Sequence, residues 1–472
     1  MRWTTCAVAA LAAACATNPA TGKSEISLVS ESQEIAMGNE TVASVHATIG
    51  TYPDSGLQQY VRGIGTRLAA VAERPALPWH FEVVDDPTVN AFAAPGGKIF
   101  VTRGILPFLG SEAELSGVLG HEIGHVTARH SARQITRQQL AGIGLIAGSI
   151  LSSTVASAAG GLQQGLGVLF LSYSRADESQ ADGLGFRYML RTKYDIREMP
   201  NVFAALSRVG ALAGGGKLPT WASSHPDPAD RQGKAQEYVN NTPPDSLKNS
   251  IVNRDRYLQA IDGIVFGENP RQGYFEGGRF LHPELRFRID FPNGWKTQNG
   301  ADAVLAGSPQ NDAILQLSLG GRETPEALLQ KFGQQQGLQM GNGQRVTVNG
   351  LPGATAEFKA QDQQAGAVSG RVMYLSYGGN TYQLLGYSTG PRYGTYSGVF
   401  SQSMQSFGPL TDPSALNKQP VHLSLVRLPR AITVDEFYRQ YPSVVRLEVI
   451  AAINGVSPGE TLPAGRPAKR VQ

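Results

Sequence analysis

The five residues His121-Glu122-Ile123-Gly124-His125 constrain this chain more than any other stretch. Side chains four apart lie one above the other only on a helix, so if His121 and His125 are to grip one ligand, the backbone here is helical. The flanks agree. Ser111 and Glu114 have the spacing of a capping box, and Leu115, Val118 and Leu119 form an apolar stripe leading into the motif. Two imidazoles on one face can hold a single metal ion from one side, and a carboxylate one residue on can hold a water beside it. The competing reading is a surface helix that merely carries two histidines. A second pattern downstream weighs against that.

That pattern is Glu178-Ser179-Gln180-Ala181-Asp182, preceded by Ser174-Arg175. A hydrolytic zinc site takes three protein ligands and leaves one position open. Two histidines leave one ligand to find. Glu178 and Asp182 share a helical face, so the first can ligate and the second can accept the remaining ring N–H of a ligating histidine. By itself such a pair also fits a charged, solvated helix face.

Taken together, HEIGHVTARH and, some fifty residues later, SRADESQAD resemble the HtpX/BepA-like zinc metallopeptidases, relatives of the membrane-embedded CAAX prenyl proteases. Both parts of the family pattern, HExxH and ExxxD, are present without substitution. The resemblance covers about the first half of the chain. It implies His121, His125 and Glu178 as ligands of one Zn²⁺ per chain, Glu122 as the base and Asp182 as the residue orienting a ligand. The stretch Asn90-Ala91-Phe92-Ala93-Ala94-Pro95-Gly96-Gly97-Lys98-Ile99-Phe100-Val101-Thr102 also resembles the family. Lys98 to Thr102 reads as a strand after a Pro-Gly-Gly turn. It is expected to run as an edge strand beside the metal, where an extended peptide adds by backbone hydrogen bonds. Asn90, Lys98, Ile99, Phe100 and Val101 are thus candidates for substrate binding, and a plain core hairpin is the equal alternative. In the family, the histidine of Ser223-Ser224-His225-Pro226 lies close to the metal, which makes His225 a candidate fourth ligand or oxyanion partner. Arg231 opens the next helix and can pair with a site carboxylate. His130, five residues past His125, is turned off the ligand face of a continuous helix and reads as structural.

The rest of the chain sets the context. Its 472 residues allow two to four domains, and 41% hydrophobic against 17% charged residues can build real cores. A net charge of +3 makes no case for nucleic acid. Cysteine occurs only as Cys6 and Cys15, so the body holds no disulfide framework and no cysteine metal site. Residues 1–14 read as a signal segment, with Arg2 as the positive end and Ala7 to Ala14 as the apolar run. Leu11-Ala12-Ala13-Ala14-Cys15 resembles a bacterial lipobox, its leucine one place farther upstream than usual, and implies lipidation of Cys15. Residues 15–29 form a tether. Between Arg137 and Arg175 no residue is charged. A single membrane span there would part His125 from Glu178, so the tract reads as a hairpin over the site and a candidate lid, soluble or grazing a membrane; insertion as a returning hairpin stays open.

The expected architecture is multidomain α+β. Residues 30–262 form a mostly helical zincin-type metallopeptidase domain with a small sheet, and 243–272 a helical connector. Residues 273–411 form an antiparallel α+β domain weakly resembling the PsbP-like fold, without a catalytic constellation. Residues 420–470 form a small βααβ module faintly resembling LysM, with Ala431-Ile432-Thr433 where the usual Gly-Asp-Thr opening stands. The function expected is zinc-dependent endoproteolysis of misfolded or stalled proteins in a bacterial envelope. The chain would be periplasmic and lipid-anchored, by preference in the outer membrane, with possible peptidoglycan or envelope-complex contact through its C-terminal modules. A non-proteolytic assembly chaperone and a cell-wall binder are the rival classes.

Overall fold

The computed structural model describes residues 15–22, 24–140, 173–212, 225, 228–362 and 366–472. The expected signal segment, the uncharged tract from 141 to 172, the SSHP loop apart from His225, and the Cys15 side chain lie outside these. The fold is multidomain α+β with several separate sheets. Among the described residues no helix is long and apolar enough to cross a membrane.

After a short antiparallel pair, β1 (Cys15–Thr17) and β2 (Ser24–Ile26), come α1 (Glu31–Thr48) and α2 (Ser55–Ala69). Ser30 and Gln33 close a reciprocal capping box on α1, and Asp54 caps α2. Three strands follow, β3 (His80–Val84), β4 (Ala91–Ala94) and β5 (Lys98–Thr102). Their order in the sheet is β3-β5-β4, with β5 parallel to β3 and antiparallel to β4. The edge placement expected for Lys98–Thr102 is therefore overturned. This strand is the middle one, hydrogen-bonded on both sides and buried along its length. A turn at Gly96 and Gly97, both with positive φ, folds it back beside β4, which takes the edge instead.

The central helix, α3 (Glu112–Thr127), is buried at every residue. Its apolar stripe predicts one buried face; the structure surrounds it, with α2 and the sheet on one side and α5 (Arg175–Arg191) on the other. Ser111 accepts from the Glu114 N–H, as the capping-box spacing requires, but the Glu114 carboxylate reaches one residue further back, to the Gly110 N–H at 2.7 Å. The α3–α5 crossing is close because glycines line it. A Cβ on Gly124 would stand 2.8 Å from the Ala181 carbonyl oxygen, and one on Gly120 would stand 3.2 Å from Gly185 Cα. Between α3 and α5 in sequence lies α4 (His130–Leu140), and after α5 come α6 (Met199–Leu212), α7 (Pro228–Asn240) and α8 (Arg254–Ile261).

The tract read as a helical connector also holds a strand, β6 (Val265–Phe266), paired with Val421–Arg427 of the tail. The tail packs Phe437, Ile450, Leu462 and Val471 into the same core as Leu119 and Phe203 of the first half. Residues 273–411 instead build cores on both faces of an eight-stranded antiparallel sheet. On one face Leu384 and Met373 pack with Phe400 from helix Tyr393–Ser406. On the other, Leu385 and Val372 pack with Phe332 from helix Pro325–Gly333.

Candidate metal centre

Helical spacing on α3 brings the Nε2 atoms of His121 and His125 to 3.0 Å from one another. Across the glycine-lined crossing, Glu178 on α5 presents Oε2 at 3.4 Å from His121 Nε2 and Oε1 at 3.4 Å from His125 Nε2. His225 closes the group, its Nδ1 at 2.9 Å from Glu178 Oε1 and 3.2 Å from His121 Nε2. One donor atom from each of these four buried residues lies within 4.8 Å of every other.

The far side of each histidine is also held. His121 Nδ1 is 2.8 Å from Asp182 Oδ1, which fixes the ring so that Nε2 faces inward. Arg231 in turn donates to both Asp182 oxygens, at 2.9 and 2.6 Å, and pairs with Glu178 at 2.8 Å. Its guanidinium lies over the Phe203 ring. His125 Nδ1 meets His130 Nδ1 at 2.8 Å, and His130 Nε2 faces Gln180 Oε1 at 3.0 Å. The Tyr173 ring stacks on His125 with centroids 4.0 Å apart, its hydroxyl on Ser131.

His130 stays outside the ligand group, as the sequence reading has it, but it reaches the far side of His125 by a route that reading does not contain. A continuous helix would turn it away from His125. The helix instead ends at Thr127, Arg129 takes a left-handed conformation with φ +58°, and α4 starts anew at His130, swung back onto His125. Nothing in the local sequence marks this break, since arginine is not a residue that favours positive φ. The sequence reading gives no role to Tyr173 or to Gln180, which also line this side of the site. Asn90, Lys98, Ile99, Phe100 and Val101 lie on the β4–β5 part of the sheet. Lys98 spends its ammonium on the Pro78 carbonyl at 2.8 Å, and burial lowers its pKa. Asn90 stands at the head of the edge strand β4 with a buried Oδ1 that makes no hydrogen bond among the described residues.

The electrostatics separate the carboxylates. Burial raises the pKa of Glu122, with the positive field of His225 and His121 acting against it. Glu178 is equally enclosed, but the field of His225 and hydrogen bonds from His121 and His125 outweigh burial and hold it far below the usual carboxylate range. Asp182 is lowered too, burial being overcome chiefly by Arg231. His125 is pushed well below the usual histidine range by burial, so it is neutral and its lone pair is available. Both Glu122 oxygens are buried and make no hydrogen bond among the described residues; the nearest partner is His225 Nε2, 3.7 Å from Oε1. Imidazole nitrogens with one firmly ionised carboxylate suit a borderline ion such as zinc. A buried carboxylate beside them, without a hydrogen bond among the described residues, is where a proton acceptor for water belongs.

Residues 55–239 match Peptidase family M48. A beta-barrel assembly-enhancing protease of Yersinia pestis is 33% identical over 239 residues, covering 48% of this chain and 48% of that one. The mitochondrial metalloendopeptidase OMA1 of Schizosaccharomyces pombe is 38% identical over 185 residues, covering 38% of this chain and 52% of that one. The chain thus spans about half the length of the curated relatives it matches. Among solved structures, a cyanobacterial PsbP from Synechocystis is 16% identical and covers 28% of this chain and 91% of that one, at a TM-score of 0.24, too low to assign a fold.

Proposed function

We propose that this chain, whose residues 55–239 fall in Peptidase family M48, is a zinc-dependent endopeptidase of the bacterial cell envelope that cleaves misfolded or stalled proteins there. The observation that carries the reading is the convergence of His121, His125, Glu178 and His225 beside a buried Glu122 that makes no side-chain hydrogen bond among the described residues. His121, His125 and Glu178 would hold the zinc. Bound there, it would polarise a peptide carbonyl and make water acidic enough to ionise near neutral pH. Glu122, its pKa raised by burial, takes a proton from the attacking water and returns it to the leaving amine. Asp182 keeps the His121 ring turned, and Arg231 holds Asp182 and pairs with Glu178.

An extended substrate would add to β4, an edge strand of the sheet that packs on α3, with the Asn90 side-chain Oδ1, which makes no hydrogen bond among the described residues, at its head. His225, seated among the ligand atoms, acts as a fourth ligand that keeps the site idle until substrate displaces it. The Cys15 lipid anchor, and docking roles for the PsbP-like and LysM-like C-terminal regions, belong to the same proposal.

Metal analysis of the purified protein together with hydrolysis of unfolded casein tests the reading. A protein that cleaves casein, stops with a chelator and recovers with zinc supports it. Full activity in the chelator, or zinc-loaded protein with none, ends it. His225→Ala at matched zinc content should raise basal cleavage. A loss of about 10²–10³-fold would make His225 an oxyanion partner instead.

A further inference from the structure

On the other face of the β3-β5-β4 sheet lies a second group of metal-ligating side chains. Alternation along the strands sends Phe81, Val83, Ile99 and Val101 toward the α3 core, and Val84 and Phe100 toward Val45 of α1. His80 and Glu82 share the α1 face with Val84. His46, in the last turn of α1, reaches across to them.

Glu82 is buried and receives three side chains. His46 Nε2 lies 2.9 Å from Oε2, His80 Nε2 lies 2.7 Å from the same oxygen, and the Thr51 hydroxyl donates to Oε1. The three ligand atoms of His46, His80 and Glu82 lie within 4.8 Å of one another. Glu82 is held at a pKa of about 2, burial being outweighed by hydrogen bonds from His80, Thr51 and His46, so it carries its charge. Both imidazoles aim the same ring atom at that charge. Two donors about 2.0–2.1 Å from a zinc ion stand roughly 3.3 Å apart at the tetrahedral angle, so the set needs to open by only a few tenths of an ångström. Lys98, opposite His80 in the sheet register, is tied to the Pro78 carbonyl and does not compete for Glu82.

We infer that His46, His80 and Glu82 form a second binding site for a zinc-class divalent ion, pinning the C-terminal end of α1 to β3. Nitrogen donors exclude magnesium and calcium as the preferred guests. His46 and His80 are 46% and 31% exposed at the side chain, which leaves an entry path and a coordination position open to water, whereas the four side chains of the first centre are buried. The site has mechanical reach. The same α1 carries Glu34, which pairs with Arg74 at 2.8 Å and with Arg129, the left-handed residue that swings His130 onto His125, at 2.5 Å.

The test is zinc stoichiometry of the full chain at equilibrium with micromolar free zinc, in the wild type, in His46→Ala/His80→Ala and in His121→Ala/His125→Ala, with zinc-dependent thermal shifts recorded on each. Two ions in the wild type and one in either variant are expected, the His46/His80 variant also losing part of the zinc-induced rise in Tm. One ion in the wild type that survives in the His46/His80 variant overturns the site, as does two in that variant. One ion lost only in that variant upholds it and defeats the catalytic-centre reading instead. Glu82→Gln, with the same fold by circular dichroism, should weaken the second ion at least tenfold, and full retention would count against the site should the double variant not fold.

Discussion

The α3–α5 region and the 273–411 region put different things inside. Around α3, buried side chains include Glu112, Glu114, Glu122, Asp177, Glu178 and Arg231. Between 273 and 411, no Asp, Glu, Lys or Arg is buried among the described residues; the buried polar groups there are Ser308, Gln316, Thr355, Thr381, Gln383, Ser388 and Ser403. Enclosing a charge costs several kcal/mol unless partners compensate, and a hydrocarbon core would be more stable in its place. A fold carries such a cluster where charges must act together out of water. The first region satisfies its charges pairwise, as with Glu112 on the Tyr60 and Tyr194 hydroxyls and Arg67. Glu122 differs: neither of its oxygens makes a hydrogen bond among the described residues, with His225 Nε2 3.7 Å away, and it is the group proposed to transfer the proton. The second region gains stability from two apolar faces of one sheet and holds no comparable exception.

The sharpest way to break this contrast is at Glu122. Glu122→Gln should leave zinc content and Tm close to wild type and lower casein hydrolysis by about 10²–10⁴-fold. Cleavage at the wild-type rate would remove Glu122 from the chemistry. The counterpart in the second region is Phe332, buried and edge-on to Phe358 at 5.3 Å. Phe332→Ala should cost about 3–5 kcal/mol in denaturant unfolding of that region and leave zinc uptake unchanged. A loss of zinc would show that the two regions unfold as one.

Gly124→Ala comes next. Its Cβ meets Ala181 backbone at 2.8 Å, so α3 and α5 must part, at about 1–3 kcal/mol. Because that crossing also sets His125 against Glu178, zinc affinity should fall with stability; a lower Tm at unchanged affinity would uncouple packing from the site. The smallest effect is at His282, whose pKa burial lowers to about 4 and whose Nδ1 accepts from the Leu285 N–H at 3.2 Å. The folded region binds this proton less readily than the unfolded chain, so its stability contribution is complete above about pH 6.5 and is lost as pH falls toward 4. The loss is about 2 kcal/mol after allowance for partial exposure, and His282→Gln should flatten that part of the pH–stability curve of the 273–411 region.

Much of this molecule was legible from periodicity. Four-residue spacing puts His121 above His125 and Glu178 above Asp182 without any tertiary contact, because a helix repeats every 3.6 residues whatever surrounds it. Alternation at Leu285, Phe287, Ile289 and Phe291 marked the start of the antiparallel region for the same local reason.

What local periodicity does not contain is which element lies beside which. Strand order made Lys98–Thr102 central and Ala91–Ala94 the edge, because pairing depends on a turn and on a parallel partner ten or more residues away. The left-handed Arg129 brought His130 to His125; its guanidinium is held from a distance, by Glu34 and the Val29 carbonyl. His46 reached Glu82 across 36 residues of chain. Each of these rests on contacts between segments remote in sequence, whose energies no short window of residues can express.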